Sequence, residues 1–162
     1  MKAPIFALLA MLALASTAIP FAQDPVVRIT QDKLKWQANP EDLDFSQAVV
    51  EGDPAKPGLY IIQVKFPPGV MSKPHFHGEA RYATVIKGTW YTGEGDVFDP
   101  SKTVPLKPGS FMKHPAGTRH YDGSKEEEVI VQLMGMGPST TTRLKPNEGL
   151  FGHSLPAQQN KK

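Results

Sequence analysis

Cysteine is absent from the 162-residue chain, and neither sign of charge dominates it. Without a thiol, the chain can form no disulfide, no thiolate metal site and no cysteine nucleophile. The formal net charge is only +2, and the lysines and arginines form no dense stripe, so the sequence predicts no binding of nucleic acid. A glycine-rich phosphate loop and the Gly-x-Ser-x-Gly motif of serine hydrolases are missing too.

One long apolar run is present, and it lies at the start of the chain. Lys2 is followed by an uncharged stretch, rich in alanine and leucine, that continues to Ala22. A short cationic start, an apolar centre and small residues at the end are typical of a secretory signal peptide. We therefore expect residues 1–22 to be a signal peptide, cleaved after Ala22 or after Ala18. The mature protein would be periplasmic or secreted and not attached to a membrane. An uncleaved membrane anchor is the alternative, which Pro20 disfavours.

The remaining chain contains many turns, with 14 glycines and 16 prolines in the sequence as a whole. Short runs rich in β-branched and aromatic residues lie between turn sequences such as AKPG, LKPG and YDGSK. The predicted strands are 26–30, 33–36, 48–51, 59–66, 71–77, 82–87, 89–91, 110–113, 118–121, 128–134 and 140–144. Strands at this spacing predict an all-β fold, an antiparallel β-sandwich or jelly-roll barrel. We expect a single domain over residues 23–146 and a loose tail over 147–162.

Four of the five histidines fall in two tight groups. His75 and His77 are two residues apart, so on a strand both imidazoles point from the same face and can share one metal ion. His120, in the second group, supplies a third imidazole. His114 directly precedes Pro115 and is interpreted as a histidine near the site or at the surface. The alternative to a metal site is that these histidines serve packing alone.

The residues around His75 and His77 resemble the first motif of the cupin superfamily. That motif consists of Gly, five residues, His-x-His, three or four residues, Glu, six residues and Gly. The chain matches it at Gly69, His75, His77 and Gly88.

A second run resembles the second cupin motif, which consists of Gly, five residues, Pro-x-Gly, two residues, His and, after three more, usually Asn. The chain matches at Gly109, Pro115, Gly117 and His120, with Ser124 where Asn is common. Twenty residues separate the two motifs, an ordinary length for the family. The pattern His-x-His-x-Glu-x-Arg is similar to that of a subgroup of small, single-domain, secreted bacterial cupins.

The chain departs from the family at the glutamate ligand. Six residues before Gly88 stands Arg81, whose guanidinium is always charged and cannot ligate a metal. Glu79 continues the parity of His75 and His77 and is therefore a candidate carboxylate ligand. In the other interpretations, three neutral histidines hold the metal alone, and Glu79 forms an ion pair with Arg81.

The resemblance implies a barrel that holds one divalent transition metal (Fe, Mn, Ni, Cu or Zn). Its ligands would be His75, His77 and His120, with Glu79 as the candidate fourth. A metal-dependent cupin oxidoreductase or isomerase would act here on a small oxygenated molecule, with Arg81 and Glu79 as candidate catalytic residues and Arg81 holding a carboxylate. The alternative is a non-catalytic periplasmic module that binds or senses a small ligand or a metal. The resemblance also implies a homodimer.

Overall fold

The computed structural model describes residues 25–39 and 45–154 of the chain. The predicted signal peptide lies outside the described residues. Within them there are thirteen strands, two short 3₁₀ turns and no α-helix, so no helix of this part is long and apolar enough to cross a bilayer. The strands are β1 (Gln37–Asn39), β2 (Phe45–Glu51), β3 (Gly58–Phe66), β4 (Val70–Ser72), β5 (His75–Phe76), β6 (Arg81–Lys87), β7 (Trp90–Glu94), β8 (Val104–Leu106), β9 (Phe111–His114), β10 (His120–Gly123), β11 (Val129–Gly137), β12 (Thr142–Arg143) and β13 (Phe151–His153).

The strands pair antiparallel in two sheets. The first sheet has the order β1-β2-β3-β11-β6-β9. The second has the order β12-β5-β10-β4-β13, with β7 also joined to β10 and carrying β8 on its other edge. The predicted all-β fold, a single-domain antiparallel jelly roll, is confirmed.

The core lies between the sheets and is centred on the β3–β11 pair. These nine-residue strands pair along their whole length, with Val64 opposite Val131. Because side chains alternate across a strand, Tyr60, Ile62 and Val64 all point inward and are buried. Trp90, on β7, packs against the same cluster from the second sheet. Burial of an apolar side chain of this size stabilises the fold by about 1.5–3 kcal/mol.

The predicted strands at residues 26–30 and 33–36 are wrong. The first is exposed and irregular, and Gln31–Lys33 forms a 3₁₀ turn. The β-branched residues there have no neighbouring strand, and β-propensity mostly reflects the fit to such a neighbour. The segment instead lies against the outer face of the first sheet, where the Gln31 amide donates to Gln63 Oε1 at 2.8 Å.

The predicted strand at residues 71–77 is divided into β4 and β5. Pro74 has no N–H group, and the Lys73 N–H donates to the carbonyl of Leu150 at 2.6 Å. The sequence analysis missed β1, β8 and β13, which have only three residues each and are too short to show a two-residue period. The other predicted strands overlap the observed ones.

The chain beyond residue 146 does not form the predicted loose tail as far as Ser154. Strand β13 pairs with β4, and Phe151 is buried. The Phe151 ring stacks on Phe45, with 4.4 Å between centroids, and meets Phe66 edge-on at 6.2 Å. Strand β13 is held in place by its hydrogen bonds to the edge of β4 together with the burial of one aromatic side chain, Phe151.

Gly88 forms the turn between β6 and β7 with φ +72°. A Cβ atom at this position would lie 2.3 Å from the carbonyl oxygen of Glu128. The last glycine of the first motif is therefore required by close backbone approach as well as by its dihedral angle.

Candidate metal centre

Three histidines meet on the inner face of the second sheet. His75 begins β5, His77 follows that strand, and His120 begins β10 directly opposite His75. Their candidate ligand nitrogens all lie within 4.8 Å of one another, and all three residues are buried. The structure thus brings together the three histidines that the sequence singles out.

A main-chain carbonyl orients each of these rings. The distances from Nδ1 to the carbonyl oxygen are 2.8 Å for His75 and Lys73, 2.9 Å for His77 and Thr140, and 2.8 Å for His120 and Thr118. A carbonyl oxygen only accepts, so in the neutral ring Nδ1 carries the proton and Nε2 keeps its lone pair. Metal-bound histidines in proteins are oriented in the same way.

Nε2 of His120 is buried and has no hydrogen-bond partner in the described part of the chain. A buried polar atom left without a partner costs about 1–3 kcal/mol. A cation bound to this lone pair would remove that cost. The donor set and its orphaned nitrogen therefore fit a metal ion.

The turn of the second motif supports two of the histidines at once. Gly117, with φ +76°, donates its N–H to the carbonyl oxygen of His77 at 2.8 Å. The N–H of Thr118 donates to the carbonyl of Pro115 and closes the turn. Since the Thr118 carbonyl orients His120, this turn fixes the position of His77 relative to His120.

Burial favours the neutral form of His75, His77 and His114. Removal from water lowers the pKa of His75 from 6.5 to about 4, although the Asp122 carboxylate opposes the shift. Burial, followed by the positive charge of Arg81, lowers the pKa of His77 to about 2. Burial and then the nearby His120 lower the pKa of His114 to about 4. His75 and His77 are thus in the protonation state that binds metals at neutral pH.

The structure adds two buried groups to the site. His114, at the end of β9, stacks on His120 with 3.7 Å between ring centroids and 22° between the ring planes. Asp122 follows His120 by two residues on β10, and its Oδ2 lies 3.6 Å from Nε2 of His120. Sequence analysis missed Asp122, although the spacing of two from His120 was a usable signal. The place of His114 depends on the pairing of β6 with β9, which no local pattern reveals.

Glu79 follows His77 by two residues, is absent from the group of close ligand atoms, and forms an ion pair with Arg81. Its Oε1 accepts from Arg81 Nε at 3.0 Å and from the Tyr60 hydroxyl at 3.1 Å, while Oε2 accepts from the Thr140 N–H at 3.1 Å. Burial alone would raise the pKa of Glu79, but these hydrogen bonds and the Arg81 charge outweigh it and hold that pKa below its usual value.

Arg81 points inward from the start of β6 and is buried. Its Nη2 donates to Ser139 Oγ at 2.5 Å, in addition to the bond from Nε to Glu79. The guanidinium is therefore held in place from two sides.

One cavity of about 360 Å³ adjoins the site, and Glu79 is not among the residues that line it. The histidines, Arg81 and Asp122 form its polar wall. The remaining wall is mostly apolar and includes Phe45, Ile62, Val64, Phe66, Leu133, Leu150 and Phe151. Its volume suits a small organic molecule that has one polar end.

No family model matches the sequence, and neither does any curated protein. Solved structures with a similar fold include the polyketide cyclase RemF from Streptomyces resistomycificus, with a TM-score of 0.62, 14% identity, and coverage of 77% of this chain and 89% of that one. An RmlC-like cupin from Ralstonia eutropha gives 0.58 and 19% identity and covers 80% of each chain. The DMSP lyase DddQ from Ruegeria pomeroyi gives 0.58 and 16% identity, over 71% of this chain and 63% of the lyase.

Identities this low define the fold alone. The fold is similar to that of a solved cupin structure, as the two motifs predict. Its strands bring His75, His77 and His120 together beside the cavity.

Proposed function

We propose that this protein binds one divalent transition metal through His75, His77 and His120 and acts on a small oxygenated or carboxylate-bearing molecule in the cavity. One observation carries the proposal. Three imidazoles, each with Nδ1 committed to a main-chain carbonyl, present their candidate ligand nitrogens within 4.8 Å of one another beside a cavity.

Imidazole suits Fe, Mn, Ni, Cu and Zn alike, so the identity of the metal is a matter for measurement. When bound, such an ion supplies a Lewis acid that polarises a substrate oxygen, as oxygenase- or isomerase-type chemistry requires. Two of the similar structures bear the names of enzymes, a cyclase and a lyase, which supports a catalytic role.

In this proposal Arg81 holds the carboxylate of the substrate. Its Nε and Nη2 bond to Glu79 and Ser139, and Nη1 has no hydrogen-bond partner among the described residues. Arginine suits this task because its planar group offers several donors in fixed directions. Glu79 acts as a positioning residue, because it fixes the guanidinium and accepts from Tyr60.

The second candidate is a non-catalytic module that binds or senses a small ligand or metal. The open cavity beside the histidines favours chemistry over a closed structural metal site. Incubation of the metal-loaded protein with small 2-oxo- and 2-hydroxycarboxylates, followed by proton NMR and an oxygen electrode, separates the two. Turnover supports the enzyme, whereas saturable binding without turnover supports the module.

Metal content tests the centre itself. We expect about one equivalent of metal per chain in protein purified from a native-like host, measured by inductively coupled plasma mass spectrometry. His75→Ala removes one of three ligands and is expected to lose most of the metal.

The matched control is His153→Ala, because His153 is exposed on β13 and does not line the cavity. This variant should keep the full metal content. Metal-free wild-type protein that takes up no metal on reconstitution would contradict the proposal.

We also propose that the protein is exported and acts in the periplasm or outside the cell. The charge and apolar pattern of residues 1–22 supports this. Mass spectrometry of the mature N-terminus tests it, since a chain that still begins at Met1 would contradict cleavage after Ala18 or Ala22.

A homodimer forms part of the proposal. It is supported by a row of exposed apolar side chains on the outer face of the first sheet: Leu59, Tyr82, Phe111, Met134 and Met136. Contiguous apolar patches on a soluble protein commonly mark an interface.

A further inference from the structure

The Asp122 carboxyl group has only the His120 ring as a nearby ionisable partner among the salt bridges of the described residues. Its side chain is 10% exposed and lines the cavity. Within residues 25–39 and 45–154, no lysine or arginine pairs with its carboxylate and no hydrogen bond reaches it. Its main chain is fixed, because the Asp122 N–H donates to Ser72 Oγ at 2.9 Å and the Ser72 hydroxyl donates back to the Asp122 carbonyl at 3.0 Å. The carboxyl group therefore lacks the hydrogen-bond donor or cationic side chain that buried carboxyl groups usually have.

The atom that faces this carboxylate is Nε2 of His120, 3.6 Å from Oδ2. Since Nδ1 of His120 bonds to a carbonyl, Nε2 of the neutral ring presents a lone pair and no proton. Two desolvated acceptors thus face each other. The two acceptor atoms repel each other in the absence of a cation, and a cation that binds both atoms makes their approach favourable.

The separation of the two atoms suits shared coordination. Metal bonds of about 2.1 Å at a tetrahedral angle place two ligand atoms about 3.4 Å apart, close to the 3.6 Å observed. Asp122 and His114 form a second group of candidate ligands with His120, separate from the group of His75, His77 and His120. The Asp122 carboxylate must therefore turn toward His75 and His77 to join one ion with all three histidines. The His114 ring lies nearly parallel to that of His120 at 3.7 Å, so the in-plane lone pairs of the two rings do not converge on one ion. His114 therefore supports the His120 ring.

We propose that Asp122 is the carboxylate ligand of the metal centre and binds the same ion as His120. This inference rests on the proposed function, because it presupposes a metal at the three histidines. Glu79, the carboxylate that the sequence suggested, already accepts three hydrogen bonds. Asp122 accepts none in the described chain, so its oxygens are free to bind a cation.

Metal affinity tests the assignment. Zn²⁺ and Co²⁺ dissociation constants are measured by competition with a chromophoric chelator for wild type, Asp122→Asn, Glu79→Gln and Asp96→Asn. Asp122→Asn is expected to bind each metal at least about 10-fold more weakly, as loss of a metal-supporting group commonly does. It should also change the visible spectrum of the Co²⁺ form. Asp96, a carboxylate paired with Arg119 away from the histidines, is the matched control.

Thermal melting separates ligation from a structural role. In the metal-free protein, Asp122→Asn removes a buried carboxyl group that faces the lone pair of His120 and should raise the melting temperature. The same change should reduce the further rise that added Zn²⁺ produces. A purely structural aspartate would lower the melting temperature of both forms, and that outcome overturns the inference.

The inference also fails if Asp122→Asn binds metal within two-fold of wild type, or if Glu79→Gln alone loses affinity. In those cases, loss of metal in His75→Ala would leave the three-histidine proposal standing. Failure of wild-type protein to bind any metal would overturn both.

Discussion

Protonation of single residues sets the conditions under which the centre can hold a metal. His75, His77 and His114 have pKa values lowered to about 4, 2 and 4, first of all by burial. Each must become charged in a desolvated site if the pH falls far enough. The same shifts therefore couple the stability of the metal-free fold to pH.

We predict that the metal-free protein loses stability as the pH falls from about 6.5 toward 5. In this window the histidines of the unfolded chain, with pKa near 6.5, take up protons, while the buried ones do not. The unfolded state then binds more protons, so the free energy of unfolding decreases with decreasing pH. Each buried histidine contributes at most about 1.4 kcal/mol per pH unit. Urea denaturation at pH 7, 6 and 5 measures the slope.

His75→Gln should flatten this slope, because it removes one of the shifted groups. The exposed His153 provides the control, since His153→Gln should leave the slope unchanged. Equal unfolding free energies at pH 7 and pH 5 in the wild type would show that the buried histidines titrate normally.

The site residues that could be predicted from the sequence are those placed by residues close to them in the chain. The spacing of His75 and His77, and the turn before His120, are written in consecutive residues. Glu79 is different, because its partners Tyr60 and Thr140 lie 19 residues before it and 61 residues after it. Only the folded chain reveals that its oxygens are occupied.

Among the elements, β13 closes the apolar end of the cavity although it has only three residues. Phe151 joins Phe45 and Phe66 in one aromatic cluster, and all three line the cavity. The strand could not be predicted because its partner, β4, lies about 80 residues earlier in the chain. The long strands β3 and β11 were predictable, since their alternation extends over nine residues each.

We predict that Phe151→Ala destabilises the protein by about 3–5 kcal/mol, the usual cost of removing a buried aromatic side chain. Chemical denaturation followed by tryptophan fluorescence measures this. Phe151→Leu, which keeps most of the apolar volume, should recover more than half of the loss.

Val97→Ala is the control for an exposed side chain, since Val97 is 75% exposed. Its effect should lie within about 0.5 kcal/mol. A loss below 1 kcal/mol in Phe151→Ala would mean that β13 does not contribute to the core.

For the whole molecule, the first sheet separates two unlike surfaces. Its inner face builds the core and the cavity, whereas its outer face exposes an apolar row in which Leu59 and Met136 are directly paired across strands. Tyr82 and Phe111 extend the row onto β6 and β9, with 6.4 Å between their ring centroids.

We predict that the mature protein is a dimer in solution and that Leu59→Lys with Met136→Lys makes it monomeric. Two charges on this face would have to be desolvated in the interface. Light scattering coupled to size-exclusion chromatography measures the mass. Val97→Lys, at a more exposed apolar residue outside the sheet, should remain dimeric. A monomeric wild type at tens of micromolar would contradict the prediction.

The three main-chain acceptors of the metal centre have a consequence for variation in the sequence. The carbonyls of Lys73, Thr118 and Thr140 are present whichever side chain those positions carry. Mutations there can alter the surface of the barrel and leave the tautomer of each imidazole intact. The centre can therefore tolerate substitutions at these three positions. The orientation of its imidazoles depends on the path of the backbone more than on the side chains at Lys73, Thr118 and Thr140.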